Sequence, residues 1–423
     1  MAKPLNILVF PCGSEVALEI YRSLEHSIHF NLIGANSVDD HGKFVFENYV
    51  DGIPFANHPD FIPTLKKLIE EKEIDAIYPA MDSVIATLKM HEMELGCPVI
   101  ASDINTTEIC LSKSKTYEIL KSSVQVPKVY ANASEVLDFP VFLKPDIGYG
   151  SRGVKKANSK IELITHLENN SDAIILEYLP GKEYTVDCFS NFNRELLFVG
   201  PRERSRISNG ISVNTATMPL EERFKEIANS INSAIKFSGA WFFQVKERTD
   251  GTLVLMEVAS RLGGSSSVYR AKGINFASLS IFNGLGMPVS VLENEYSVEL
   301  DRALDAVYKI DVQFNHAYID FDDTLIVNNK VNTKLISLIF KFINQGKKIY
   351  LITKHEYNIT ESLAKYRLSG LFDEVIHLEK LDQKWKYIMH KDSIFIDDSF
   401  AERKQIKDNL GLAVFSVDMI SML

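Results

Sequence analysis

The sequence predicts an α/β protein of several domains. Its 423 residues fill two to four domains at roughly 100–200 residues each. Short apolar runs of strand character alternate with helical stripes towards both ends, the pattern of parallel sheets flanked by helices. Composition agrees, since 46% hydrophobic and 24% charged residues are ordinary globular values that exclude a disordered or fibrous chain.

Residues 1–110 read as a first α/β domain. Leu5–Phe10 is a buried-type strand, and Val16, Ala17, Ile20, Tyr21 and Leu24 recur at helical spacing behind it. Asn31–Gly34, Ala76–Tyr78 and Val99–Ala101 are expected as further strands, and Phe61, Leu65, Leu68 and Ile69 as another helical face. The first strand-to-helix turn, Pro11-Cys-Gly-Ser-Glu-Val16, holds one glycine where a dinucleotide fingerprint needs three. That argues against NAD or FAD. From residue 111 the texture changes. A helix over Ser112–Leu120 ends before Val126-Pro127. Strands follow at Phe142–Pro145, Ile174–Leu179, Tyr184–Phe189, Ala240–Lys246 and Thr252–Val258, with a helix expected over Val268–Phe276. Trp241-Phe-Phe243 reads as core. Near residue 306 a third domain begins. There Leu304–Val312 leads into His316–Leu325, and strands Ile349–Ile352, Ile394–Ile396 and Ala413–Phe415 alternate with helices as in a second doubly wound sheet.

Charge and cysteine usage narrow the function classes. With 56 acidic and 46 basic residues the net charge is −10, which disfavours nonspecific nucleic-acid or anionic-membrane partners. The apolar run at Leu5–Phe10 is interrupted by Asn6 and stops at Pro11 without a cleavage site, unlike a signal peptide. No run of about 18 apolar residues occurs. Cys12, Cys97, Cys110 and Cys188 are scattered, without a CxxC, which disfavours a disulfide framework or zinc site and suits a reducing compartment. The expectation is a soluble cytoplasmic protein. Cys12 has no base nearby in sequence and is not expected to be a nucleophile.

The middle of the chain carries an ordered set of motifs. Pro140–Val154 places Lys144 at a strand end before Gly148, Gly150, Ser151 and Gly153. Glycines there let backbone N–H groups close over phosphates, and the ammonium neutralises charge. Ile174–Asp187 follows, then Phe243-Gln-Val-Lys246 and Leu255–Ser265. In this order the motifs resemble the ATP-grasp superfamily, in the branch of the carbamoyl-phosphate synthetase large chain and the pyrrolysine-pathway ligase. The resemblance covers residues 1 to about 300, including a Rossmann-like domain before the grasp fold, and sets domains at 1–110 and 111–305.

It implies that Lys113 and Lys144 contact ATP phosphates beneath the Gly148–Gly153 loop. It also implies that Glu177 and the Leu179 backbone meet adenine, and that Glu183 binds ribose. Gln244 and Glu257 would hold Mg2+, and Arg261 would contact the transferring phosphate or the substrate. Phosphoryl transfer of this kind needs carboxylate-held magnesium and cationic clamps rather than a protein nucleophile. The family reads Glu-x-Asn-x-Arg where this chain has Glu257-Val-Ala-Ser-Arg261. Ala259 supplies no oxygen, so water or Ser260 would have to fill that coordination position. On the substrate side, the stretch Arg202–Gly210 offers a clamp for a carboxylate or acyl phosphate, with Arg204 favoured, or else a solvated hairpin. Gly263–Ser267 offers either an anion site or a helix cap, and Asp82 lies at a strand end facing the cleft.

The last domain, 306–423, has its own set. Asp320-Phe-Asp-Asp-Thr-Leu325 follows an apolar strand, Thr353 ends another, Lys384 is expected to open a helix, and Asp397-Asp398 ends a third strand. These four elements resemble the haloacid dehalogenase (HAD)-like hydrolases. The resemblance implies Asp320 as nucleophile, Asp322 as general acid and base, and Thr353 and Lys384 as phosphate ligands. Mg2+ would be held by Asp320, the Asp322 backbone and Asp398 or Asp397. The intervals Asp322–Thr353 and Thr353–Lys384 hold little beyond the helix and strand of the core, so the HAD-like domain is expected to be uncapped. Of the histidines near its strand ends, His316, His355 and His377, His355 lies closest to Thr353.

The leading expectation is a bifunctional enzyme. An ATP-dependent carboxylate–amine ligase would be fused to a Mg2+-dependent phosphatase, acting on a small-molecule carboxylate, an amine and a phosphorylated substrate. The alternatives are a carbamoyl-phosphate-type or small-molecule kinase in the grasp half, or a phosphatase whose grasp half only binds nucleotide.

Overall fold

The computed structural model describes residues 3–148, 153–208, 211–303, 308 and 310–423, with the side chains of residues 211 and 422 excepted. The chain divides into two compact units, Met1–Leu304 and Asp305–Leu423.

The first unit opens on a parallel sheet of β1 (Leu5–Phe10), β2 (Phe30–Ala35), β3 (Asn48–Val50) and β4 (Ala76–Pro79), in the order β3-β2-β1-β4. Alternation along β1 sends its side chains into two cores. Ile7 and Val9 pack with Ala17 and Ile20 of the helix Glu15–Leu24, and Leu8 and Phe10 pack with Phe61 and Leu65 of the helix Phe61–Glu71. Ser14 caps the first helix, its hydroxyl accepting from the Ala17 N–H at 3.1 Å. The strand expected at Val99–Ala101 is reduced to a single bridge between Ile77 and Val99. Pro98 has no N–H to pair, and the Ala101 N–H turns back to the Val99 carbonyl at 2.9 Å.

Two antiparallel sheets follow. The smaller contains β5 (Val129–Tyr130), β6 (Val141–Pro145), β7 (Lys155–Ala157) and β8 (Ala173–Glu177), ordered β5-β8-β6-β7. The larger contains β9 (Glu183–Ser190), β10 (Leu196–Ser208), β11 (Ile211–Thr217), β12 (Gly239–Glu247), β13 (Leu253–Ala259) and β14 (Glu299–Asp301), ordered β13-β12-β9-β10-β11-β14. Trp241 and Phe243 are buried behind it, and the Trp241 indole stacks on Phe237 at 4.1 Å. The single helix expected over Val268–Phe276 is instead two pieces, Ser267–Arg270 and Phe276–Gly284. Gly273 adopts φ +105° between them, and Asn275 caps the second piece by accepting from the Ser278 N–H.

The second unit is built on a parallel sheet of β15 (His316–Ile319), β18 (Lys348–Thr353), β19 (Glu374–His377), β20 (Ser393–Ile396) and β21 (Ala413–Phe415), ordered β19-β18-β15-β20-β21. A hairpin of β16 (Ile326–Val327) and β17 (Lys330–Val331) turns through Asn328 and Asn329, both left-handed at φ 50° and 57°. With the helix Thr333–Asn344, that hairpin fills the interval between Asp322 and Thr353. The helix Ile359–Lys365 and β19 fill the next. Lys384 opens a short 3₁₀ helix, Lys384–Tyr387, rather than an α-helix. Among the described residues no helix is long and apolar enough to cross a membrane.

Candidate active sites

One face of the larger sheet in the first unit gathers the polar residues. Antiparallel Cα partners project to the same face, and register makes a row of Glu257, Gln244, Thr185 and Arg202 across β13, β12, β9 and β10. The row beside it is Ala259, Phe242, Asp187 and Gly200. Glu257 and Gln244 are direct partners, so a carboxylate and an amide oxygen face one spot. One carboxylate with one amide suits a magnesium that takes most of its ligands from phosphates and water. Ala259 lies on that face and is buried. Ser260 is buried just past the end of β13, off the alternation that puts Glu257 and Ala259 on one face, which favours water over Ser260 for the open position.

Arg204 does not stand free on the substrate side. Its guanidinium pairs with Glu183 and donates to Gln244 Oε1 at 3.1 Å. Glu183 also lies 3.7 Å from Lys246 Nζ. The favoured clamp and the ribose residue therefore form one ion pair, because β9 and β10 are neighbours. Arg202 is instead the buried member of its stretch. It donates to Asp187 Oδ2 at 2.6 Å, while Arg202 Nη1, Asp187 Oδ1 and Thr185 Oγ1 are buried without partners. The backbone of Gly263 passes so close that a Cβ there would lie 3.1 Å from both Arg202 and Asp187. Asp187 gave no signal in sequence, since only strand pairing joins it to Arg202.

The two lysines bind different stretches of backbone. Lys144, buried at the end of β6, donates to the Met256 carbonyl at 2.7 Å, and the Tyr117 hydroxyl donates to the same oxygen at 2.7 Å. Burial pushes the Lys144 ammonium down to about 7, against the opposing pull of Glu257. Lys113 opens the helix Lys113–Leu120 and donates to the carbonyls of Asp146 and Gly148 at 3.1 and 3.3 Å. Asp146 anchors that helix, accepting from Ser112 Oγ and the Ser114 N–H at 2.7 Å each. Burial would lift its carboxyl, but these hydrogen bonds hold it below the usual range. Gly148 and Gly153 are exposed, and Gly150 and Ser151 lie outside the described residues.

At the hinge, Glu177 accepts from Arg248 Nη2 at 2.6 Å and the Lys128 N–H at 2.9 Å. These bonds overcome burial and hold its carboxyl low. Its carboxylate is thus a brace between Lys128 and Arg248, and Leu179 is buried. Arg261 donates to Asp82 Oδ2 at 2.8 Å, joining two candidates from distant parts of the sequence. The Cys12 thiol is buried, and burial pushes it up to about 12, as an inert core thiol requires.

In the second unit Asp320 follows β15, Thr353 ends β18, Asp397 follows β20, and Lys384 opens the 3₁₀ helix. Lys384 Nζ donates to Asp320 Oδ1 and Asp397 Oδ2, both at 2.6 Å. Burial pushes the Asp320 carboxyl up and the Lys384 ammonium opposes it. Burial would lower Lys384, but its two carboxylates raise it. Asp320, Asp397 and Asp398 bring ligand atoms within 4.8 Å of one another, the one such acidic group among the described residues and a set suited to a hard cation. Arg403 Nη1 donates to the carbonyls of Asp397 and Asp398 at 2.6 Å each, fixing the turn. Thr353 Oγ1 is buried without a partner. Asp322 is turned out of the acidic group towards His355. His316 stacks on His390 at 3.7 Å and bonds to Asp392 at 3.1 Å, and His377 bonds to the His355 carbonyl at 2.7 Å. Neither ring is placed in the acidic group.

Residues 169–311 match the family model described as "ATP-grasp in the biosynthetic pathway with Ter operon". The vancomycin B-type resistance protein VanB of Enterococcus faecalis is 26% identical over 51% of this chain and 74% of its own length. A D-alanine–D-alanine ligase of Fusobacterium nucleatum is 28% identical over 40% of this chain and 62% of its own length. Among solved structures, the biotin carboxylase domain of Hydrogenobacter thermophilus 2-oxoglutarate carboxylase, with MgADP and bicarbonate, superposes with a TM-score of 0.60. That match has 16% identity and covers 71% of this chain and 74% of that one. By fold and by these matches the first unit is similar to ATP-grasp proteins, and the matched biotin carboxylase structure holds ADP with magnesium.

Proposed function

We propose that the first unit is an ATP-dependent carboxylate–amine ligase acting through an acyl phosphate. The observation that carries this reading is the direct pairing of Gln244 with Glu257, with Lys144 donating to the adjoining Met256 carbonyl. Magnesium held there would screen the phosphate oxygens. Lys113 and Lys144 would neutralise the triphosphate, Arg261 would steady the transferring phosphoryl once released from Asp82, and the Leu179 backbone would meet adenine. A substrate carboxylate oxygen would then form a bond to the γ-phosphorus as the bond to ADP breaks. The amine would form the new bond to carbon as phosphate leaves. Ala259 favours one other reading, a grasp fold that binds nucleotide without turnover.

We further propose that the second unit is a HAD-like, uncapped phosphatase, which makes the chain bifunctional. Support comes from Lys384 bridging Asp320 and Asp397 beside the partnerless Thr353 hydroxyl. Magnesium at Asp320, the Asp322 carbonyl and Asp397 or Asp398 would offset the charge of the phosphate. Asp320 would bond to phosphorus as the ester oxygen leaves with a proton from Asp322. Water, losing a proton to Asp322, would then release phosphate and restore Asp320. Incubation with ATP, Mg2+ and pooled acids and amines tests the ligase. ADP formation that needs both an acid and an amine is expected. ADP formation without amine would point to a kinase, and binding without ADP formation to a nucleotide sensor. For the phosphatase, Asp320→Asn should abolish hydrolysis of phosphate esters while ATP binding persists. Retained hydrolysis would remove Asp320 as nucleophile.

A further inference from the structure

Asp322 has the task of moving protons, yet its side chain is 54% exposed and sits on a turn. A carboxylate so placed samples several rotamers, and each misdirected one delays proton transfer. One residue removes that freedom. His355 Nδ1 lies 2.9 and 3.0 Å from the two oxygens of Asp322. His355 Nε2 lies 2.8 Å from Ser362 Oγ. The imidazole is only 10% exposed, and the Phe321 ring meets it edge-on at 4.8 Å. Its own carbonyl accepts from His377 Nε2 at 2.7 Å. Ser362 lies in the helix Ile359–Lys365, capped by Asn358. The ring is thus held on both nitrogens, on one face and through its backbone.

We propose that His355 is the positioning residue of Asp322, and that Ser362 sets the tautomer of His355 for that purpose. This inference rests on the phosphatase reading of the second unit. An ionised carboxylate only accepts hydrogen bonds, so the nitrogen facing Asp322 carries the hydrogen. In the neutral ring Nε2 then accepts from the Ser362 hydroxyl, which completes the chain Ser362–His355–Asp322. The consequence concerns where the Asp322 proton sits. Because Nδ1 already carries hydrogen, the ring cannot accept the proton of protonated Asp322. Both Asp322 oxygens face Nδ1, so that proton stays on Asp322, on whichever oxygen turns from the imidazole to the leaving group. On departure of the ester oxygen the proton goes to that oxygen, and the proton taken from attacking water returns to the same place. His355 touches neither phosphate nor water in this scheme.

The test separates aim from mere stability. The full chain and its His355→Ala, His355→Asn and Ser362→Ala variants would be assayed with Mg2+ on 4-nitrophenyl phosphate and on a simple alkyl phosphate. A nitrophenolate leaves without help, whereas an alkoxide needs a proton. His355→Ala should therefore lose about 10²-fold or more in kcat/KM on the alkyl ester, the low end of general-acid effects, and only a few-fold on the aryl ester. His355→Asn, which keeps an N–H near the place of Nδ1, should regain part of the loss, and Ser362→Ala should show a smaller form of it. Equal losses on both esters, or none, would overturn the proposal. A second measurement is independent of turnover. Nitrogen-15 NMR of the imidazoles should show His355 as the Nδ1–H tautomer in wild type, with Nε2–H gaining in Ser362→Ala. An Nε2–H ring in the wild type refutes the assignment even if both esters turn over. If wild type hydrolyses neither ester, the phosphatase reading falls, and the tautomer still decides whether His355 holds Asp322.

Discussion

If Lys144 meets the ATP phosphates as proposed, burial prepares this cation for an anion that arrives later. Its ammonium is held down to about 7 by desolvation, with Lys113 nearby adding to the depression and Glu257 opposing it. Above that pH the free protein holds much of Lys144 as the neutral amine, still able to donate to the Met256 carbonyl. A bound triphosphate favours the charged form and raises the value towards that of an ordinary lysine. ATP binding should therefore take up protons between about pH 7 and 10, and affinity should fall as pH rises through that window. Calorimetry at pH 8 in buffers of different ionisation enthalpy reads the uptake directly, and Lys144→Met should abolish it. The same logic separates the neighbouring arginines. Arg204 is matched by Glu183, whereas Arg202 is buried against Asp187.

On the strand β13, alternation decides which residues can serve the metal. Glu257 and Ala259 are two apart and share a face, while Ser260 is buried just past the end of the strand, off that alternation. An oxygen missing at residue 259 is therefore not replaced by the chain. Ala259→Asn would return one to the position beside Glu257, across from Phe242. If the ligase reading holds, this variant should lower the Mg2+ concentration for half-maximal ADP formation severalfold. Its burial exacts some stability, which a urea midpoint would report. Glu257→Gln should remove ADP formation while nucleotide still binds through the hinge. An unchanged Mg2+ requirement in Ala259→Asn, measured on folded protein, would show that residue 259 does not address the metal.

The chain divides into two compact units, Met1–Leu304 and Asp305–Leu423, to which we assign two separate proposed activities. Each has its own sheet and buried core, so each should unfold as a cooperative block. A ligand that binds only the folded form of one unit raises that unit's stability, by about 2.7 kcal/mol at a hundred times its Kd. Differential scanning calorimetry should show two transitions. MgATP should raise one, and Mg2+ with beryllium fluoride, a mimic of an aspartyl phosphate, should raise the other. A single transition raised equally by both ligands would mean that the two units melt as one. In the Asp320→Asn protein the beryllium fluoride shift should vanish and the MgATP shift remain.

Local pattern was enough to read much of this chain before any geometry. The apolar run Leu5–Phe10 behaves as a buried strand because period and burial are local properties. The later of the central motifs, Ile174–Asp187 to Leu255–Ser265, lie within the stretch that matches the ATP-grasp family model, since phosphate and metal chemistry restricts the residue types allowed. The pattern failed where a backbone turn interrupts it. Val99 forms one bridge beside Pro98, and Gly273 splits an expected helix. It also could not say which charges meet. Asp82 and Arg261 lie 179 positions apart, and Glu177 and Arg248 lie 71 apart. Asp322 and His355 lie 33 apart. Those pairings follow from strand order and register, which bring distant residues to one face. Only the folded sheet could therefore decide that Arg204 pairs with Glu183, that Glu177 is a brace, and that His355 meets Asp322.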